Sequence, residues 1–207
     1  MKEKGFFDEV YHHGKTSDDT HKLYKKWAGL YDEEMAKNSY ITPQRCATAL
    51  AKFATDKCKP LLDVGCGTGI SGMALKMQGF ENIDGSDVNE DMIYQARLKQ
   101  NLYRSVLLVD ITNPFPFKKG AYDYISAMGV IAASHAPAHT ISDIVDKLDT
   151  GGIFTFSLND HTLSDPTYEA EIEKNVAAGK ATILLKEYGE HMRAINMKSN
   201  IYVLERI

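Results

Sequence analysis

Pro60-Leu61-Leu62-Asp63-Val64-Gly65-Cys66-Gly67-Thr68-Gly69 is the stretch that decides the fold. Residues 61–64 give the short, nearly continuous apolar run of a buried strand. Three glycines within five residues then hand the chain to an apolar helix pattern over residues 70–78, which ends at Gly79. Glycine admits positive φ and lets a ligand approach the main chain where a Cβ would obstruct it. The N–H groups exposed at such a strand-to-helix turn are donors awaiting an acceptor.

Outward from this turn, strand and helix patterns alternate. Residues 83–88 read as a strand and 90–100 as a helix. Residues 106–109 form a strand stopped by Asn113-Pro114, and 122–127 form another. Residues 138–148 read as a helix, 153–157 as a strand after Gly151-Gly152, and 166–178 as a helix. Residues 183–188 and 200–205 close the chain as an antiparallel pair. This predicts an α/β fold: a doubly wound, Rossmann-like sheet of about seven strands, mostly parallel, with an antiparallel final strand. Two helices precede it. One is capped by Asp18 or Asp19 and runs to Lys37 with Leu23, Trp27, Leu30, Tyr31 and Met35 at helical spacing; the other spans residues 43–54 with Pro43 in its first turn. The expected organisation is one domain over residues 1–207: an arm at 1–18, a helical lid at 19–56 and a cofactor-binding core at 57–207.

An acid stands at the end of each of the first three strands: Asp63, Asp87 and Asp110. In an open parallel sheet, ligands lie across the carboxyl edge. Asp87 is placed to accept from both hydroxyls of a ribose, and Asp110 from an adenine amino group. Asp63 either sits beneath the glycine loop and orients it or reaches a ligand ammonium. Gly67-Thr68-Gly69-Ile70-Ser71-Gly72 is also literally G-x-G-x-x-G, with Asp87 20 residues after Gly67. That is the fingerprint of an NAD-type oxidoreductase. Its register would begin two residues late, because the first glycine after the strand is Gly65, and it leaves Asp63 without a task.

The ordered set resembles class I S-adenosylmethionine-dependent methyltransferases. It comprises residues 62–69, Gly85-Ser86-Asp87-Val88-Asn89-Glu90-Asp91-Met92, Val109-Asp110, Tyr122-Asp123, and Leu148 through Gly151-Gly152-Ile153-Phe154. The entry segment, residues 23–32 with Tyr40-Ile41-Thr42-Pro43, is similar to that of the Williams–Beuren-region methyltransferase-like proteins and their bacterial relatives. The resemblance implies S-adenosyl-L-methionine as cofactor. It places Tyr31, Asp63, Gly65, Cys66, Gly67, Gly69, Asp87, Val88, Met92, Asp110, Ile111 and Met128 around it. It names no acceptor, and residues 132–139, Ala-Ala-Ser-His-Ala-Pro-Ala-His, depart from the family's pattern after the fourth strand.

Methyl transfer asks the protein mainly to orient and desolvate the acceptor, so no fixed catalytic set is expected. His135, after the fourth strand, is the candidate base; His161, beside Asn159 and Asp160, is the other. Trp27, Tyr31 and Tyr40 offer an aromatic face toward the cofactor sulfur. Asn113-Pro114-Phe115 follows the third strand rather than the fourth, so it is a turn and not the motif of nucleic-acid amino methyltransferases. A net charge of -4, with the run at residues 21–26 read as a solvated helix face, argues for a small-molecule acceptor and against nucleic acid. A protein acceptor, or cofactor binding with weak catalysis, is the alternative. Cys46, Cys58 and Cys66 lack metal-ligand or disulfide spacing, so no metal site is expected. Without an apolar leader or membrane span, the sequence points to a cytoplasmic protein with no membrane partner.

Overall fold

The computed structural model describes residues 28–110, 115–133 and 135–207. Helices α1 (Tyr31–Lys37) and α2 (Thr42–Phe53) lead into β1 (Leu61–Val64), α3 (Ile70–Met77), β2 (Ile83–Asp87), α4 (Glu90–Leu98) and β3 (Ser105–Leu108). There follow β4 (Tyr124–Ala127), α5 (Thr140–Val145), β5 (Ile153–Asn159), α6 (Asp160–Leu163), α7 (Pro166–Ala177), β6 (Ala181–Met192), a 3₁₀ turn at Arg193–Ile195, and β7 (Met197–Arg206). The sheet order is β3-β2-β1-β4-β5-β7-β6. The first five strands are parallel; β7 inserts antiparallel between β5 and β6. The sheet is therefore the expected seven-stranded, Rossmann-like one, with two antiparallel pairings at its end.

Apolar side chains cover both faces. Leu62, Val64, Ile125, Phe154 and Phe156 pack with α5 and α7 on one side. Leu61, Ile83, Tyr124, Ile153 and Val203 pack with α2 and α3 on the other. Because the order reverses between β1 and β4, the carboxyl ends of these strands open a crevice where a ligand can lie.

Several boundaries differ from the sequence reading. The helix expected over 138–148 is regular only over Thr140–Val145, since residues 146–152 turn down to Gly151 at φ 83°. The last two strands are much longer than expected. Among their added residues His191 and Ser199 are polar yet buried, because Thr42 of α2 covers this end of the sheet. β6 also carries register shifts between Ile183 and Leu185 and between Glu190 and Met192. A turn at residues 28–30 interrupts the helix expected to run to Lys37, which begins at Tyr31 with Leu30 as its N-cap; the proposed cap at Asp18 or Asp19, Trp27, and the arm at 1–18 lie outside the described residues, as does Ile111.

Candidate cofactor and acceptor site

The glycine loop is held from several directions. Gly65, Gly67 and Gly69 all have positive φ, at 62°, 52° and 97°. At Gly65 a Cβ would come within 2.3 Å of Val130 Cγ2, so glycine lets the segment after β4 pack against the loop. At Gly67 a Cβ would meet nothing within 4 Å. The loop therefore presents open main chain there, the cradle that the methionine portion of a cofactor would fill.

Asp87 fastens this cradle. Its Oδ2 accepts from Gly67 N at 2.8 Å and its Oδ1 from Asn89 N at 2.9 Å. Each carboxylate oxygen has a second lone pair, so ribose hydroxyls can still be accepted. Asn89 in turn caps α4 through Asp91 N and Met92 N. Asp63 lies deeper. It is fully buried, and its carboxyl accepts from Ser71 Oγ at 2.6 Å, Ser126 Oγ at 2.7 Å and Tyr103 Oη at 2.8 Å. Burial pushes its pKa up to about 6 against the pull of these donors. It ties β1 to β4 and α3 beneath the loop, and it has no solvent exposure from which to meet a ligand ammonium.

The other predicted cofactor residues range from buried to exposed. Cys66 packs among Ile93, Val106 and Tyr103, and burial raises its thiol pKa well above the usual range. Its side chain thus faces the core, and its backbone N–H donates to Ser86 O. Met92 and Met128 are buried, Met128 within the cluster beneath α2. Val88 and Asp110 are exposed at the ends of β2 and β3. Tyr31, half-buried, opens α1.

Helix α1 lies tied at both ends. At its start, Asp32 Oδ1 accepts from Thr68 Oγ1 at 2.5 Å and Oδ2 from Lys99 Nζ at 2.7 Å, while Lys99 Nζ also donates to Thr68 O at 2.5 Å. Beyond its end, Tyr40 bridges Met192, and its hydroxyl stands where a Cβ on Gly129 would come within 2.4 Å. The helix thus runs from the loop after β1 to the exits of β4 and β6. Neither Asp32 nor Lys99 is singled out by the sequence reading; the only hint is that Asp32 adjoins Tyr31 in the entry segment.

His191 is the other residue that reading missed. It falls within the β6 irregularity between Glu190 and Met192, where bulges re-aim side chains. The ring turns inward: it is 3 % exposed, bonds Thr42 Oγ1 through Nδ1 at 2.8 Å, and meets the Tyr40 ring edge-on at 5.1 Å. Burial pushes its pKa down to about 4, with Arg45 adding to the shift and Asp160 opposing it. The imidazole is therefore neutral at physiological pH. His135 sits half-buried in a turn that doubles back after β4, its N–H bonded to Ala132 O. His161 is exposed, while Asn159 caps α6 and Asp160 accepts from Tyr188 Oη and Lys198 N. No group of three or more metal-ligating side chains occurs among the described residues.

Residues 33–199 match a family model described as a methyltransferase domain. The chain belongs to this family. Its cofactor is S-adenosylmethionine, which the open backbone at Gly67 and the carboxylate of Asp87 fit. Among curated methyltransferases, the chain is 27% identical over 125 residues to methyltransferase-like protein 27 of Homo sapiens, covering 59% of this chain and 51% of that protein. It is 28% identical over 92 residues to the 18S rRNA (guanine(1575)-N(7))-methyltransferase of Saccharomyces cerevisiae, covering 44% of this chain and 33% of that one. The chain thus spans about half or less of the length of these curated relatives. The magnesium protoporphyrin IX methyltransferase of Synechocystis PCC 6803, with S-adenosylhomocysteine bound, superposes with a TM-score of 0.64 at 17% identity, over 98% of this chain and 93% of that one. No helix among the described residues is long and apolar enough to cross a membrane.

Proposed function

We propose that this methyltransferase acts on a small, neutral acceptor held between α1 and the exits of β4 and β6. The observation that carries this reading is the inward turn of His191 beside Tyr40. A neutral imidazole behind Tyr40 suits an uncharged polar molecule and adds no positive charge to attract a phosphate. Arg45, the cation nearest this cluster on α2, is committed to Glu187 and to the carbonyls of Glu187, Glu190 and Ser199.

In the proposed reaction, Gly65, Gly67 and Asp87 hold the cofactor across the carboxyl edge. The cofactor supplies an activated methyl group on sulfur. Tyr40, half-buried and backed by the His191 ring, orients the acceptor, and α1 keeps water from it. Where the acceptor must lose a proton, His135, on the turn after β4, receives it.

The test incubates the chain with methyl-labelled S-adenosylmethionine and three substrate sets: neutral metabolites, peptides, and duplex and single-stranded oligonucleotides over a range of salt. Transfer to a metabolite that His191→Phe weakens is the expected result. Salt-sensitive binding and methylation of an oligonucleotide would overturn the acceptor class and favour the RNA substrates named for several relatives. Methylation confined to peptides would overturn it in favour of a protein acceptor.

A further inference from the structure

We propose that Asp32 is a positioning residue for the cofactor, fastening α1 across the glycine loop so that the cofactor leaves only when this fastening opens. The inference rests on the cofactor reading above and goes beyond it. Two other segments of the chain converge on Asp32. Thr68, between Gly67 and Gly69, gives its hydroxyl to one carboxylate oxygen. Lys99, at the end of α4, gives its ammonium to the other. The same ammonium also donates to the Thr68 carbonyl, which closes a ring of three contacts around one loop residue.

The position of Thr68 makes the ring functional as well as structural. Thr68 follows the residue whose Cβ would project into open space, and its own side chain is almost wholly buried, at 2 % exposure. Asp87 holds Gly67 N on one side, and Asp32 holds Thr68 on the other. The open backbone at Gly67 is thereby fixed between two carboxylates on different elements. Asp32 is 46 % exposed and Lys99 24 %. The ion pair is consequently weak and screened by salt, whereas the short bond from a buried hydroxyl to a carboxylate is stronger. A fastening of this kind can open on the timescale of binding without unfolding the sheet.

The proposal requires Asp32 to act on cofactor residence more than on stability. The test measures S-adenosylhomocysteine affinity by calorimetry and its dissociation rate by displacement, in the full chain and in Asp32→Ala, Asp32→Asn, Lys99→Met and Asp32→Ala/Lys99→Met. Asp32→Ala should speed dissociation about tenfold, the loss expected for one charge-assisted hydrogen bond. Asp32→Asn keeps an acceptor for Thr68 and should fall between. The double variant should be no faster than Asp32→Ala, because both changes break one network. Added salt should speed dissociation from the wild type and leave Lys99→Met unmoved. Wild-type binding with an unchanged rate in Asp32→Ala and Lys99→Met would overturn the role of Asp32 alone. Absence of binding by the wild type would overturn the cofactor reading as well.

Discussion

Asp63 and His191 give the protein two buried titrating groups with opposite pH dependences, and Asp63→Asn should expose the one that the other hides. The carboxyl of Asp63 is raised in the folded state from an ordinary 3.8 to about 6. Its contribution is full below the unfolded value and is lost as pH rises through about 6. The difference is worth about 3 kcal/mol at 1.36 kcal/mol per pKa unit. His191 is lowered from 6.5 to about 4. Its contribution is full above 6.5 and is lost as pH falls through about 4, again worth about 3 kcal/mol. Between pH 4 and 6 the two slopes cancel, and these groups leave wild-type stability nearly flat. Asn at position 63 keeps the shape and can still bond the Ser71, Tyr103 and Ser126 hydroxyls, which are able to donate or accept. Urea unfolding at half-unit pH steps should then show stability climbing by about 3 kcal/mol from pH 4 to 6 in Asp63→Asn. His191→Gln should show the reverse, a fall of similar size. Two variants with the same pH profile as the wild type would refute the claim that these buried groups titrate as described.

Two further substitutions probe the loop. Gly65→Ala sets a Cβ 2.3 Å from Val130 Cγ2 at a φ of 62°; thermal and urea unfolding should report a loss of about 2–3 kcal/mol, of which Val130→Ala restores the steric part and leaves the backbone part. Asp87→Ala removes the acceptor for Gly67 N and Asn89 N together with the proposed ribose contact, so calorimetry with S-adenosylhomocysteine should show affinity at least about tenfold weaker; a loss under twofold would leave Asp87 as a turn residue only.

The core of the fold was readable because its signals are local. The apolar run at 61–64, the glycines after it and the acids at the strand ends each depend on a few adjacent residues. The features that shape the site depend instead on distant partners. Asp32 meets Thr68 and Lys99 36 and 67 residues away. His191 turns inward because β6 and β7 change register at Glu190, and no composition rule marks that position. The expected last strand starts at residue 200 and misses Ser199, whose burial against Thr42 arises only once α2 has docked. Asp63 was legible as a special acid, but its three hydroxyl partners come from residues 71, 103 and 126 on other elements.

The strand order also decides which parts of the molecule a second copy can template on. Among the described residues the sheet has two edges, β3 and β6. The longer one, β6, spans 12 residues but is interrupted by two register shifts and carries Lys186, Glu187 and Glu190. Kinks and charges of this sort spoil the flat ladder that edge-to-edge growth needs. The shorter one, β3, has four residues and exposes Leu107 and Leu108. Among the described residues its brevity is its main protection, and a lysine at position 107 or 108 is the change that would guard it further.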